Sequence, residues 1–208
     1  MRKPDEFGLG ELLARTAAGD ANARGQLLLS HRDRLLGVIS LRIDPRLAAR
    51  IDASDVVQDV LAEADCKLDV FLRDQPMPFY PWLRQIALER LIQLNRRHLW
   101  AKRRSVGREA AISFADRSAA DLADRLFARG SSPSQQAIRK ELRERVRTAL
   151  EELDSIDQEV LVLHHLEQLS VLESAAVLHL SEGAVKMRHM RALTRLRKGL
   201  SDLAESSG

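Results

Sequence analysis

Two adjacent histidines (His164 and His165), a lone cysteine (Cys66) and a series of carboxylates at Asp52, Asp55, Asp59 and Glu63 are the side chains with evident chemical potential. Their spacing builds no reaction centre. Neighbours on a helix point about 100° apart, so His164 and His165 are expected not to share a metal face. One cysteine excludes an intramolecular disulfide and any cysteine-rich zinc site. Asp65 beside it discourages a thiolate, so a packed cysteine is expected. Asp55 and Asp59 imitate a catalytic carboxylate pair, but no nucleophile or base lies near in sequence. No P-loop, zinc-protease or serine-hydrolase motif occurs. Met187 and Met190 read as packing residues rather than a cofactor box. The expectation is no catalytic residue, no metal and no cofactor.

Charge patterning carries more information. The 208 residues hold 33 Lys and Arg against 30 Asp and Glu, a net charge of +3. That near-balance hides segregation. Arg96, Arg97, Lys102, Arg103, Arg104 and Arg108 form a basic run without an acid, interleaved with His98 and Trp100. Lys186, Arg188, Arg191, Arg195, Arg197 and Lys198 form a second, opposed only by Glu182. Two separate basic helices point to two contacts with a polyanion. The carboxylates at 52, 55, 59 and 63 fall in one helical stripe, close enough to repel one another. Such a stripe suits a basic protein partner as well as it suits a solvated surface.

The elements that must position these groups read as helices. Ala, Leu, Arg and Glu dominate, and strand signals are scarce. Helical segments are expected over 9–18, 21–43, 54–73 and 82–104, with a proline-rich loop at 74–81. Trp82, Leu83, Ile86, Leu91 and Leu94 should face inward on the last. Residues 105–131 read as a flexible linker, which divides the chain into domains 1–104 and 132–208. In the second, Ser132-Pro133-Ser134-Gln135 opens a helix to about Leu153. Ser155 with Gln158 and Ser170 with Glu173 read as capping boxes for helices to about Glu167 and His179. Ser181 caps a helix to about Leu203, its inner stripe Val185, His189, Ala192, Leu196 and Leu200. A short helix, a tight turn and a longer helix is helix-turn-helix spacing. The fold class is all-α, two helical domains joined by a flexible linker. No signal peptide or membrane span is visible, so a cytoplasmic protein is expected. The last helix runs nearly to the final residue, so no sizeable C-terminal regulator is expected.

Asp52-Ala53-Ser54-Asp55-Val56-Val57-Gln58-Asp59 resembles the signature of region 2 of bacterial sigma factors, and Pro78 to Ala87 with Asn95-Arg96-Arg97 resembles that family's next helix. Leu150 to Leu161 resembles the start of region 4, and Ala175 to Arg188 its helix-turn-helix. Both regions in this order, without a region between them, resemble the extracytoplasmic-function (ECF) type of the sigma-70 family. The resemblance implies a non-enzymatic protein that binds core RNA polymerase and directs it to promoters. It implies that Asp52, Asp55, Gln58 and Asp59 bind the β′ coiled coil. Phe79, Tyr80, Trp82, Asn95, Arg96, Arg97, Arg103 and Arg104 would meet the −10 element, where rings stack on bases and cations follow phosphates. Glu182, Gly183, Ala184, Lys186, Met187, Arg188 and Arg191 would meet the −35 duplex in the major groove, while region 4 meets the β flap. An anti-sigma factor is an optional further partner. His179 stands where the family often has Gly, and Met187, His189, Met190 and Leu193 also depart from its usual residues, so promoter sequence is not carried over.

Two other readings fit the residues less fully. One is a regulator binding duplex DNA through the second domain alone. The other is a helical adaptor whose basic faces are merely solvated. Salt-dependent DNA binding and partnership with polymerase separate the three.

Overall fold

A computed structural model describes residues 6–99 and 145–205. The chain forms two compact units, Met1–Lys102 and Arg103–Gly208. Every regular element among the described residues is a helix. The expected linker at 105–131 and the cap at Ser132-Pro133 lie outside them.

The first unit holds α1 (Glu6–Ala17), α2 (Ala21–Leu29), α3 (Arg32–Arg42), the short α4 (Pro45–Ala48), α5 (Ala53–Asp74) and α6 (Phe79–Leu99). The turn between α1 and α2 uses Gly19 at φ 89°. Asp20 then caps α2, accepting from the amides of Asn22 and Ala23 at 2.9 and 3.0 Å. Those amide bonds and the Arg15 guanidinium hold the Asp20 carboxyl below the usual carboxylate range.

One continuous helix over 21–43 is not what forms. Ser30 and His31 divide it, although neither is a standard helix breaker. The Ser30 hydroxyl donates to the Leu27 carbonyl at 2.8 Å, and His31 Nδ1 lies 3.0 Å from the same oxygen. Two side chains thus compete with the backbone ladder at one point. His31 is buried beside Phe79 and Tyr80.

α5 places Val56, Val57, Val60, Ala64, Leu68 and Phe71 on one buried face, against α3 and α6. Leu27, Leu35, Leu83 and Leu91, on the other helices of this unit, are fully buried with it. Each contributes about 1.5–3 kcal/mol by leaving water. Arg24 of α2 holds α5 by ion pairs to Asp65 at 2.6 Å and Asp69 at 2.7 Å. α6 starts at Phe79 rather than 82, since Pro81 sits in its first turn, where a missing N–H costs no ladder bond. Leu83, Ile86, Leu91 and Leu94 face inward as expected; Trp82 is half-buried.

The second unit contains helical backbone over 145–151 (α7), then α8 (Ser155–His165), α9 (Val171–Leu178) and α10 (Glu182–Glu205). Ser155 is the first residue of α8 and not its cap. Asp154 occupies the cap position without a side-chain bond, and Gln158 instead donates to the Leu153 carbonyl at 3.0 Å. The box at Ser170 does form. The Glu173 amide donates to Ser170 Oγ at 3.1 Å, and the Ser170 amide donates to Glu173 Oε2 at 2.7 Å. His179 ends α9 in the left-handed region at φ 53°. Ser181 caps α10 through the Ala184 amide at 3.2 Å. Val160, Ala175 and Val185, with Val171, Leu178 and Leu180, form the small core that sets α8, α9 and α10 together.

Candidate functional site

The carboxylate stripe starts at the cap of α5. Asp52 accepts from the Ser54 amide at 2.7 Å, so its position is fixed by the helix it opens. Asp55, Gln58 and Asp59 follow on the exposed side. Asp59 pairs with Arg90 of α6 at 2.5 Å, and Glu63 pairs with Lys67 at 2.6 Å. Internal cations therefore relieve part of the repulsion expected along the stripe. Asp55 and Gln58 have no side-chain partner within the chain among the described residues. Together with Asp52 and Asp59 they present an exposed polar ledge of net negative charge.

The aromatic residues behave differently from expectation. Phe79 and Tyr80 are 2% and 1% exposed, so as they stand neither ring offers a face to a base. Phe79 lies 5.4 Å from Phe71 and 5.2 Å from His31, edge to face. Tyr80 stacks on His31 and carries the Arg34 guanidinium 3.5 Å from its ring centre. These rings fasten α6 to α5 and to the α2–α3 junction. Trp82 stacks on Phe71 at 4.5 Å and keeps part of its ring in solvent. Asn95 is buried too, its Oδ1 without a hydrogen-bond partner. Arg96 and Arg97 are exposed at the end of α6. Arg103, Arg104 and Trp100 lie outside the described residues.

On α10 the buried side is Val185 and Ala192, flanked by half-buried His189 and Leu196. That stripe matches expectation as far as it is described. The opposite side shows Glu182, Gly183, Lys186, Met187, Met190, Arg191 and Thr194 to solvent, with Ala184 half-buried. Met187 and Met190 are each 64% exposed and are not packing residues. Arg188 leaves this face. Its guanidinium pairs at 2.7 Å with Asp157, whose side chain is fully buried. Arg195 stands 3.7 Å from the other oxygen of Asp157 and 3.3 Å from Asp154. Arg188 is thus turned toward α8, where it neutralises a charge inside the unit. Sequence reasoning missed Asp157 as its partner because the two are 31 residues apart.

Cys66 is exposed, not packed. The two histidines expected to diverge come together. His164, His165 and His189 place one nitrogen each within 4.8 Å of one another. The 100° offset holds only within α8, and the third ring arrives from α10.

Comparison with known proteins completes the picture. Residues 143–196 match the family described as sigma-70, region 4. The chain is 29% identical over 189 residues to the ECF RNA polymerase sigma factor SigD of Mycobacterium tuberculosis (strain ATCC 25618 / H37Rv), covering 91% of this chain and 82% of that protein. It is 35% identical over 186 residues to the RNA polymerase sigma factor CnrH of Cupriavidus metallidurans, covering 89% of this chain and 90% of CnrH. A solved structure of CnrH in complex with the cytosolic domain of CnrY is similar at 31% identity, with a TM-score of 0.47 and coverage of 95% and 97%. Likeness of this extent to CnrH runs through both units, and on it the chain belongs to the sigma-70 family of RNA polymerase sigma factors, in its ECF type, as a protein that directs the polymerase to promoters in transcription initiation.

Proposed function

We propose that the two units divide the work of a sigma factor between faces of opposite charge. The exposed ledge Asp52, Asp55, Gln58 and Asp59 on α5 takes the β′ coiled coil of core RNA polymerase. The exposed end of α6, Arg96 and Arg97, with the open edge of Trp82 and the sequence continuation at Arg103 and Arg104, takes the −10 element. In this division Phe79, Tyr80 and Asn95 shape α6 from within. The outer face of α10 takes the −35 duplex. Glu182, Gly183, Ala184 and Met187 lie near its N-terminus, where a recognition helix meets base edges, and Lys186 and Arg191 supply charge. Region 4 also carries the contact to the β flap. The protein is non-catalytic and acts in the cytoplasm beside the polymerase. No described helix is long and apolar enough to cross a membrane.

One observation carries the reading. The exposed carboxylates of the Asp52–Asp59 ledge lie on α5 of the first unit, whereas the second helix of the helix-turn-helix exposes cations and few acids. A solvated adaptor has no need of that segregation. The test is reconstitution. Purified protein with core polymerase should initiate transcription from a cognate promoter. Asp55→Ala with Asp59→Ala should weaken holoenzyme assembly at least about 10-fold, the scale of lost interfacial charge contacts. The two are exposed, so the fold should survive. Unchanged assembly would refute the docking assignment. DNA binding without any polymerase partnership would favour the regulator reading instead. An anti-sigma factor, as an optional partner, would register in the same assay as loss of assembly.

A further inference from the structure

His164 and His165 end α8, and His189 projects from the N-terminal half of α10 to meet them. The ring centres of His164 and His189 are 4.6 Å apart, those of His164 and His165 4.9 Å, and those of His165 and His189 5.3 Å. His165 Nε2 and His189 Nε2 lie 3.1 Å apart, one tautomer donating to the other. All three candidate donor nitrogens fall within 4.8 Å of one another. In a tetrahedral zinc site with Zn–N bonds of about 2.0–2.1 Å, ligand nitrogens sit about 3.3 Å apart. One edge of such a site is therefore already formed, and small rotations of exposed His164 close the rest.

We propose that His164, His165 and His189 form a binding site for one divalent transition-metal ion of the zinc class, with the remaining coordination position open to water. Imidazole nitrogen suits Zn2+, Co2+, Ni2+ and Cu2+ and excludes Mg2+ and Ca2+, which take oxygen. Two properties of the place favour a cation. Two ligands lie in the last turn of α8, at the negative end of the helix dipole. The nearest arginine in sequence, Arg188, is already neutralised on Asp157. The ion would link residues 24 apart in sequence and fasten the end of α8 to the DNA-facing helix. It would be a structural staple of the second unit.

The test uses the tag-free full chain, stripped with chelator. Co2+ should give the visible ligand-field bands of a tetrahedral nitrogen site, and Zn2+ should displace it. Zn2+ should raise the unfolding midpoint progressively, with the logarithm of its concentration once that exceeds the dissociation constant, while Mg2+ should leave it unchanged. His189→Gln, and separately His164→Gln with His165→Gln, should lower Co2+ affinity at least about 10-fold while keeping helical content by circular dichroism. His179→Gln, at an exposed histidine outside the cluster, should bind as the parent does. Absence of ligand-field bands, or equal loss in the His179→Gln protein, would overturn the proposal. Should His189→Gln lose helical content, the pair at 164 and 165 decides, because both are exposed.

Discussion

Asp157 lies in the first turn of α8 and is fully buried. A buried carboxylate needs a cation with good geometry, and Arg188 supplies it at 2.7 Å, with Arg195 behind it at 3.7 Å. Removing Arg188 leaves that charge with one distant partner. Arg188→Ala should therefore destabilise the second unit by about 3 kcal/mol, read by urea unfolding. Adding Asp157→Asn should recover part of the loss, because the uncompensated charge is gone. Loss of −35 binding with unchanged unfolding would instead return Arg188 to the DNA face. The burial of Phe79 and Tyr80 follows similar logic. A ring in a sparse-aromatic chain looks available for stacking on bases, but His31, Phe71 and Arg34 claim these rings first.

Elements were far more legible than partners. The Ser170–Glu173 box and the Ser181 cap are local facts, settled within four residues, and each formed as expected. The break at Ser30-His31 was hidden because it comes from side-chain competition and from aromatic neighbours almost 50 residues away. The histidine cluster was hidden for the same reason, its third member lying on another helix. The turn at His179 is an intermediate case. Its residue type departs from the family's usual glycine, yet the backbone still takes the left-handed form at φ 53°. Left-handed backbone costs a side chain about 1–2 kcal/mol, and glycine gives part of that back as chain freedom in the unfolded state. His179→Gly should be neutral or stabilising by up to about 1 kcal/mol, whereas His179→Val should cost about 1–2 kcal/mol. Thermal unfolding of the two variants should give the order Gly, His, Val. A valine as stable as histidine would mean the turn opens to another conformation.

At the scale of the whole molecule, a net charge of +3 understates the electrostatics because opposite charges occupy different exposed faces. Binding to duplex DNA through α10 should release counterions in proportion to the phosphates its cations meet. Each such contact contributes about 0.9 to the slope of log affinity against log salt. Lys186 and Arg191 are exposed, and among the described residues the only acid paired with either is Glu182, 3.9 Å from Lys186. Lys186→Ala with Arg191→Ala should reduce the magnitude of that slope by about 2 for a −35 duplex, across sequences alike, with unfolding unchanged. Met187→Ala alters no charge. It should keep the slope and change the ranking of duplex sequences, because an exposed side chain near the helix N-terminus meets bases rather than phosphates. The Asp55→Ala, Asp59→Ala protein should keep both slope and ranking, its lost charges being on the first unit. A salt slope that falls equally in all three proteins would mean that DNA senses only overall charge, and the division of faces would fail with it.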